Sequence, residues 1–113
     1  MKILSRPILR QFWEREDCKD SKQPLLSWFK EVEKAAWKSP ADVKKLYSSA
    51  DFVSDGRIVF NIGGNKYRLV AWVKYSLQLV LIKWVGTHQE YGEVDVTTVG
   101  LSSTAKPPSK RGK

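Results

Sequence analysis

The sequence predicts an α+β domain in which a short N-terminal strand and two to three helices pack on one face of an antiparallel sheet. Apolar residues recur at intervals of three and four through residues 6–47 and then alternate at intervals of two through residues 57–85. A chain of 113 residues can build one modest core but not two. With 42% hydrophobic residues, and five Trp, four Tyr and four Phe to fill that core, the chain is expected to fold.

Residues 1–5 (MKILS) read as the first strand. Residues 6–17 carry Ile8, Leu9, Phe12 and Trp13 at helical spacing, with Pro7 tolerated in the first turn and Ser5 available as a cap. After a polar break at residues 18–21, residues 24–38 place Leu25, Trp28, Phe29, Val32, Ala35 and Ala36 along one helical stripe. Ser39, Pro40 and Asp42 start a short third helix that ends near Tyr47. The period then changes. Ile58, Phe60 and Ile62 alternate with Arg57, Val59 and Asn61, and the Gly63-Gly64-Asn65 turn closes a hairpin. In the return strand Tyr67, Leu69, Ala71 and Val73 alternate with Arg68, Val70, Trp72 and Lys74. In the last strand, residues 79–85, Leu81, Lys83 and Val85 alternate with Val80, Ile82 and Trp84. The helices are expected to cover one sheet face and leave the other available. The domain spans residues 1–100, and residues 101–113 read as a flexible basic tail.

One cysteine, Cys18, excludes an internal disulfide or a multi-cysteine metal site and fits a reducing compartment; the plainer reading is a helix-end residue without chemistry. The N-terminal MKILSRPILRQFW is interrupted by Lys2, Arg6 and Arg10 and lacks a signal peptide's apolar stretch. No apolar run has membrane-spanning length. These features lead to the expectation of a soluble, cytoplasmic protein with no membrane partner.

Net charge is +8, but its distribution says more: residues 56–89 carry five basic groups and no acid, whereas residues 1–55 carry eleven basic and nine acidic groups. An acid-free segment inside the fold presents an unopposed positive field, so nucleic acid is the leading partner and an acidic protein the second. Arg68 falls at mid-strand, where a charge needs solvent or a partner. It is either an ordinary exposed arginine or a phosphate clamp that stabilises a pentacoordinate transition state. Lys83 can lie beside it. His88, the only histidine, follows the last strand in GTHQEY as either a surface residue or a proton-transfer group. Tyr91 could stack on a base, move a proton or form an apolar lid, and Glu90 could orient His88 or cap the loop. Asn61 could reach a ribose or base edge. Asn65 most simply serves the turn, and Arg57, Lys66 and Lys74 add cationic contacts to RNA. Trp13, Trp28 and Trp37 are core or interface residues by default. One histidine and one cysteine offer no zinc site, and GGN without a following helix is no nucleotide loop, so neither metal nor cofactor is expected.

The run FNIGGNKYRLV (60–70) followed by IKWVGTHQEY (82–91) resembles the HigB group of bacterial toxins, within the RelE-like superfamily. The resemblance implies a ribosome-dependent mRNA endoribonuclease of a type II toxin–antitoxin system, acting in the ribosomal A site of the 30S subunit. It places a catalytic histidine at the TH..EY ending, and it implies RNA binding on the sheet face away from the helices. It further implies a helix-turn-helix antitoxin of the HigA type, through which the pair would bind operator DNA. The chain departs from the pattern at Gly92 and after Gly100. On this reading cleavage is metal-independent, through attack by the 2′-hydroxyl: His88 transfers a proton, Arg68 and Lys83 stabilise the phosphoryl group, and Tyr91 and Asn61 position the RNA. The alternative is a non-catalytic RNA- or ribosome-binding module that uses the same cationic face.

Overall fold

The computed structural model describes residues 1–100. The expected basic tail lies outside the described residues. Strand β1 (Lys2–Leu4) leads to α1 (Pro7–Trp13), a 3-10 helix (Glu16–Ser21), α2 (Lys22–Lys34) and α3 (Pro40–Leu46). Then come β2 (Asp51–Phe52), the hairpin strands β3 (Arg57–Ile62) and β4 (Tyr67–Lys74), β5 (Leu79–Thr87) and a one-turn helix α4 (His88–Tyr91). The α+β arrangement of helices against one sheet holds. The sheet has five strands in the order β1-β5-β4-β3-β2, with β1 parallel to β5 and every other pair antiparallel. It is therefore mixed rather than wholly antiparallel. The long crossover through the helices brings β1 alongside β5 in the same direction, and a three-residue strand carries no sequence signal of its pairing.

The core is made where the helical stripe meets the inward face of the hairpin: Leu9, Phe12, Leu25, Trp28 and Val32 pack on Ile58, Phe60, Ile62, Tyr67 and Leu69. Phe60 is its centre, ringed by Trp28 at 5.4 Å, Tyr47 at 5.2 Å and Trp37 at 6.2 Å between centroids. Burying one such side chain contributes about 1.5–3 kcal/mol. Trp28 and Trp37 are thus core residues, while Trp13 is half-buried at its edge.

The helix ends differ from expectation. Ser5 does not cap α1; it sits at φ +72°, and the helix starts from Arg6 without a side-chain cap. Residues 18–21 are not a polar break, because Cys18 and Ser21 are fully buried and Ser21 Oγ donates to the Cys18 carbonyl at 2.6 Å. Helix α2 stops at Lys34, where Ala35 turns extended (ψ 158°) and Trp37 is carried back onto Phe60. Pro40 opens α3 as expected, but Ser39 makes no cap bond; Asp42 Oδ2 instead accepts the Lys38 N–H at 2.9 Å.

Two features shape the opposite sheet face. Val70 pairs with Trp84 and Ala71 with Ile82, leaving Lys83 as the extra residue of a β-bulge. The bulge resets the alternation, so Val85 joins Val80 and Ile82 in the core while Trp84 stays outside it. This corrects the expected grouping of Val85 with Leu81 and Lys83. Nor is the face left available along its length. Segment 94–100 crosses it, tied by Arg57 Nη1, which donates to the carbonyls of Val96 at 3.1 Å and Val99 at 2.6 Å. Gly100 abuts the Lys83 backbone so closely that a Cβ there would lie 2.5 Å from the Lys83 carbonyl oxygen. Among the described residues no helix is long and apolar enough to cross a membrane.

Candidate nucleic-acid interface

Strand pairing puts Arg68 between Asn61 on β3 and Gly86 on β5, on the face away from the core. Gly86 matters because it has no side chain: a Cβ there would sit 2.3 Å from the Trp84 ring, which lies over that position. Trp84 in turn stands 6.3 Å from the Tyr91 ring, and the Arg68 guanidinium is 6.0 Å from the same ring. Arg68 is half-buried and anchored by one nitrogen, Nη1, to the carbonyls of Asn65 at 3.1 Å and Tyr67 at 3.3 Å. Among the described residues its other N–H groups make no hydrogen bond, which suits an anion. Burial pushes the Tyr91 hydroxyl above its ordinary value, Asp51 adds to this and Arg68 opposes it. The phenol is therefore neutral near pH 7 and able to donate a proton.

Tyr91 and His88 are held by α4, expected as loop and found as a capped helical turn. Thr87 Oγ1 accepts the Glu90 N–H at 3.1 Å and Glu90 Oε1 accepts the Thr87 N–H at 2.9 Å, a reciprocal capping box. Of its two expected roles, Glu90 thus takes the cap. Arg15 grips the same carboxylate with two nitrogens, at 3.2 and 2.8 Å. That ion pair, and the Thr87 N–H, hold the Glu90 carboxyl below the usual carboxylate range. The His88 N–H donates to the Lys66 carbonyl at 2.9 Å, fastening α4 to the hairpin.

The His88 side chain is exposed and lines a depression with Lys66, Tyr67 and the acids Asp17, Glu90 and Glu93. Arg68, Lys83 and Tyr91 do not line it. Lys83 shares Arg68's face, yet the bulge sets it three residues from Gly86, about 10 Å along the strand. There it borders a groove with Arg57, Trp72, Leu81 and Thr97. The structure therefore gathers Arg68, Tyr91 and Asn61, and sets His88 and Lys83 to either side.

The remaining expected cations are dispersed. Arg57 is a correction: it is 4% exposed and already donates to two backbone carbonyls, so it anchors segment 94–100 rather than offering a charge to RNA. Lys66 is exposed but pairs with Asp20, which the Tyr67 hydroxyl also reaches. Lys74 lies over the Trp72 ring at 5.9 Å, six residues along β4 from Arg68, or about 20 Å. Gly63 and Gly64, not Asn65, hold the left-handed positions of the turn, at φ +62° and +70°, and the Asn65 backbone carbonyl accepts from Arg68 Nη1.

Sequence reasoning missed Trp84, Arg15 and Gly86. A glycine two residues after a tryptophan inside a strand was a usable signal for Gly86, since it marks close approach. Nothing local pointed to Arg15, which reaches Glu90 across 75 residues of sequence.

Helices backing a mixed sheet, with an arginine and tyrosine on its open face, agree with the class that comparison with known families returns. The family model described as HigB_toxin, RelE-like toxic component of a toxin-antitoxin system, matches residues 21–94. The match includes Arg68, Lys83, His88 and Tyr91 and stops short of segment 95–100. The mRNA interferase toxin HigB of Escherichia coli is 36% identical over 72 residues, covering 62% of this chain and 69% of that protein. The mRNA interferase HigB of Shigella flexneri aligns with the same identity and coverage. The chain belongs to the HigB toxin family.

Proposed function

We propose that the protein is an mRNA interferase that cleaves mRNA on the ribosome, in the A site of the 30S subunit, without a metal ion or cofactor. The 2′-hydroxyl attacks the adjacent phosphorus and the 5′-oxygen departs, leaving a 2′,3′-cyclic phosphate and a 5′-hydroxyl. The observation that carries this reading is Arg68, held by one nitrogen on the sheet face away from the core, with its guanidinium 6.0 Å from the Tyr91 ring. The free edge of that guanidinium stabilises the pentacoordinate phosphoryl group. Tyr91, a neutral phenol, supplies a proton or a stacking surface, and His88, one helical turn away on α4, carries the second proton transfer. Asn61 positions a ribose or base, Lys83 takes a neighbouring phosphate, and Lys66, Asn65 and Lys74 extend the contact.

As a toxic component of a toxin–antitoxin system the protein has an antitoxin partner. We assign this to the HigA helix-turn-helix type, with operator DNA bound through the antitoxin. Action on ribosome-bound mRNA places the protein in the cytoplasm. A second reading, a non-catalytic ribosome-binding module, draws on one observation: His88 lies outside the Arg68 cluster.

Purified ribosomes programmed with a reporter mRNA, stabilised by polyamines in EDTA, separate the two. Cleavage mapped by primer extension is expected with the wild-type protein, and Arg68→Ala should lower its rate by about a hundredfold or more in protein that a melting curve shows to be folded at the assay temperature. A strict divalent-ion requirement of the toxin, or binding without cleavage, would overturn the proposed chemistry.

A further inference from the structure

A second surface lies on the helical layer, across the sheet from Arg68. Between α1 and α2 an open groove of about 490 Å³ is floored by Leu9 and Leu26 and walled by Pro7, Trp13 and Phe29. Leu26, Trp13 and Phe29 are only half-buried. Its rim is cationic: Arg6 and Arg10 line it, the Arg6 guanidinium lies 4.8 Å from the Phe29 ring centroid, and Lys22 Nζ lies 5.9 Å from that of Trp13. Among the described residues no Asp or Glu lines it. Apolar floor and positive rim together ask for a ligand that brings aliphatic side chains and carboxylates at once.

We infer that this groove receives an acidic amphipathic helix of the antitoxin. A helix about 10–12 Å across lies along such a groove and inserts apolar side chains spaced one turn apart. Its acids one turn away meet Arg6, Arg10 and Lys22. Other occupants fit less well. Residues 101–113 carry four basic groups, no acid and one large apolar residue, so this chain's own C-terminal residues match neither the rim nor the floor. A second copy brings the same positive sign. RNA satisfies the arginines but leaves the open parts of Leu26 and Pro7 without apolar contact. The inference rests on membership of a toxin–antitoxin family and not on the cleavage mechanism.

The test is the affinity of the full chain for the antitoxin of its own pair, with a labelled single-stranded RNA measured in parallel. Arg6→Glu with Arg10→Glu should weaken antitoxin binding by about a hundredfold or more and leave ribosome-dependent cleavage unchanged. Leu26→Ser, which keeps every charge, should weaken binding in the same direction. A melting temperature near that of wild type identifies each variant as folded, and Arg10→Gln replaces the double variant if it is not. Antitoxin affinity unchanged in the folded variants overturns the assignment. So does loss of RNA affinity instead, which would make the groove a nucleic-acid site. Loss of cleavage in the wild-type protein with antitoxin binding intact would sink the mechanism and leave this surface standing.

Discussion

Glu90 is where fold and chemistry are joined most directly, and Glu90→Ala should show both. The substitution removes the acceptor for the Thr87 N–H and the carboxylate that Arg15 holds at 2.8 and 3.2 Å. The capping interaction is worth about 1 kcal/mol. The ion pair is more than a third exposed on both sides, so solvent screening limits it to about 0.2–1 kcal/mol. Together they predict a loss of about 1–2 kcal/mol, or about 5–15 °C in melting temperature for a domain of this size. Glu90→Gln keeps the capping geometry and removes the charge, so it should lose only the smaller part. A double-mutant cycle with Arg15→Ala should return a coupling of about 0.2–1 kcal/mol. Tyr91 and His88 both ride on α4, so single-turnover cleavage by folded Glu90→Ala should fall well beyond what lost stability explains. Melting curves and rapid-quench cleavage on ribosomes measure the two effects. A variant that melts with wild type and cleaves at its rate would show that neither the cap nor Arg15 holds α4 in place.

Two further outcomes are expected. His88→Gln keeps a hydrogen-bonding side chain at an exposed position, so ribosome binding should survive while single-turnover cleavage drops by about a hundredfold; cleavage near the wild-type rate would leave Tyr91 as the proton-transfer group. On the acid side, Lys66 with Tyr67 holds the Asp20 carboxyl below its ordinary value, and Arg15 does the same for Asp17 and Glu90. Depressed carboxylates stabilise the fold fully above their unfolded values near about 4 and less as pH falls through the lower folded ones. Melting temperature should therefore be flat from neutrality to about pH 5 and decline below about pH 4, with a shallower decline in Asp20→Asn. An equal decline in that variant would remove Asp20 from the account.

What the sequence disclosed was whatever periodicity can encode. The faces of β3 and β4 were readable because both strands pair without interruption from Arg57 opposite Trp72 to Ile62 opposite Tyr67. The same reading failed in β5, where Lys83 is inserted against no partner and every later residue changes face. A bulge is a property of two strands, and one strand's alternation cannot show it. Arg68 and Tyr91 were singled out because each stands within a short recognisable run, and the fold brings the two together. Their separation from His88 was not, since it depends on how a capped turn at Thr87 leaves the sheet. Arg57 looked like its fellow cations in sequence and proved buried, because its partners are backbone carbonyls supplied 39 and 42 residues later. Unpaired charge in a sequence window is thus no measure of unpaired charge in space.

The hold that Arg57 keeps on Val96 and Val99 also fixes which side of the sheet Gly100 occupies. It sits beside Lys83, on the side that carries Arg68. Met1, by contrast, sits on the helical side, its amino group donating to the carbonyls of Glu33 at 3.1 Å and Ala35 at 2.6 Å. A purification handle or fluorophore appended at Met1 would displace these two bonds and disturb the end of α2, on the side of the sheet away from Arg68.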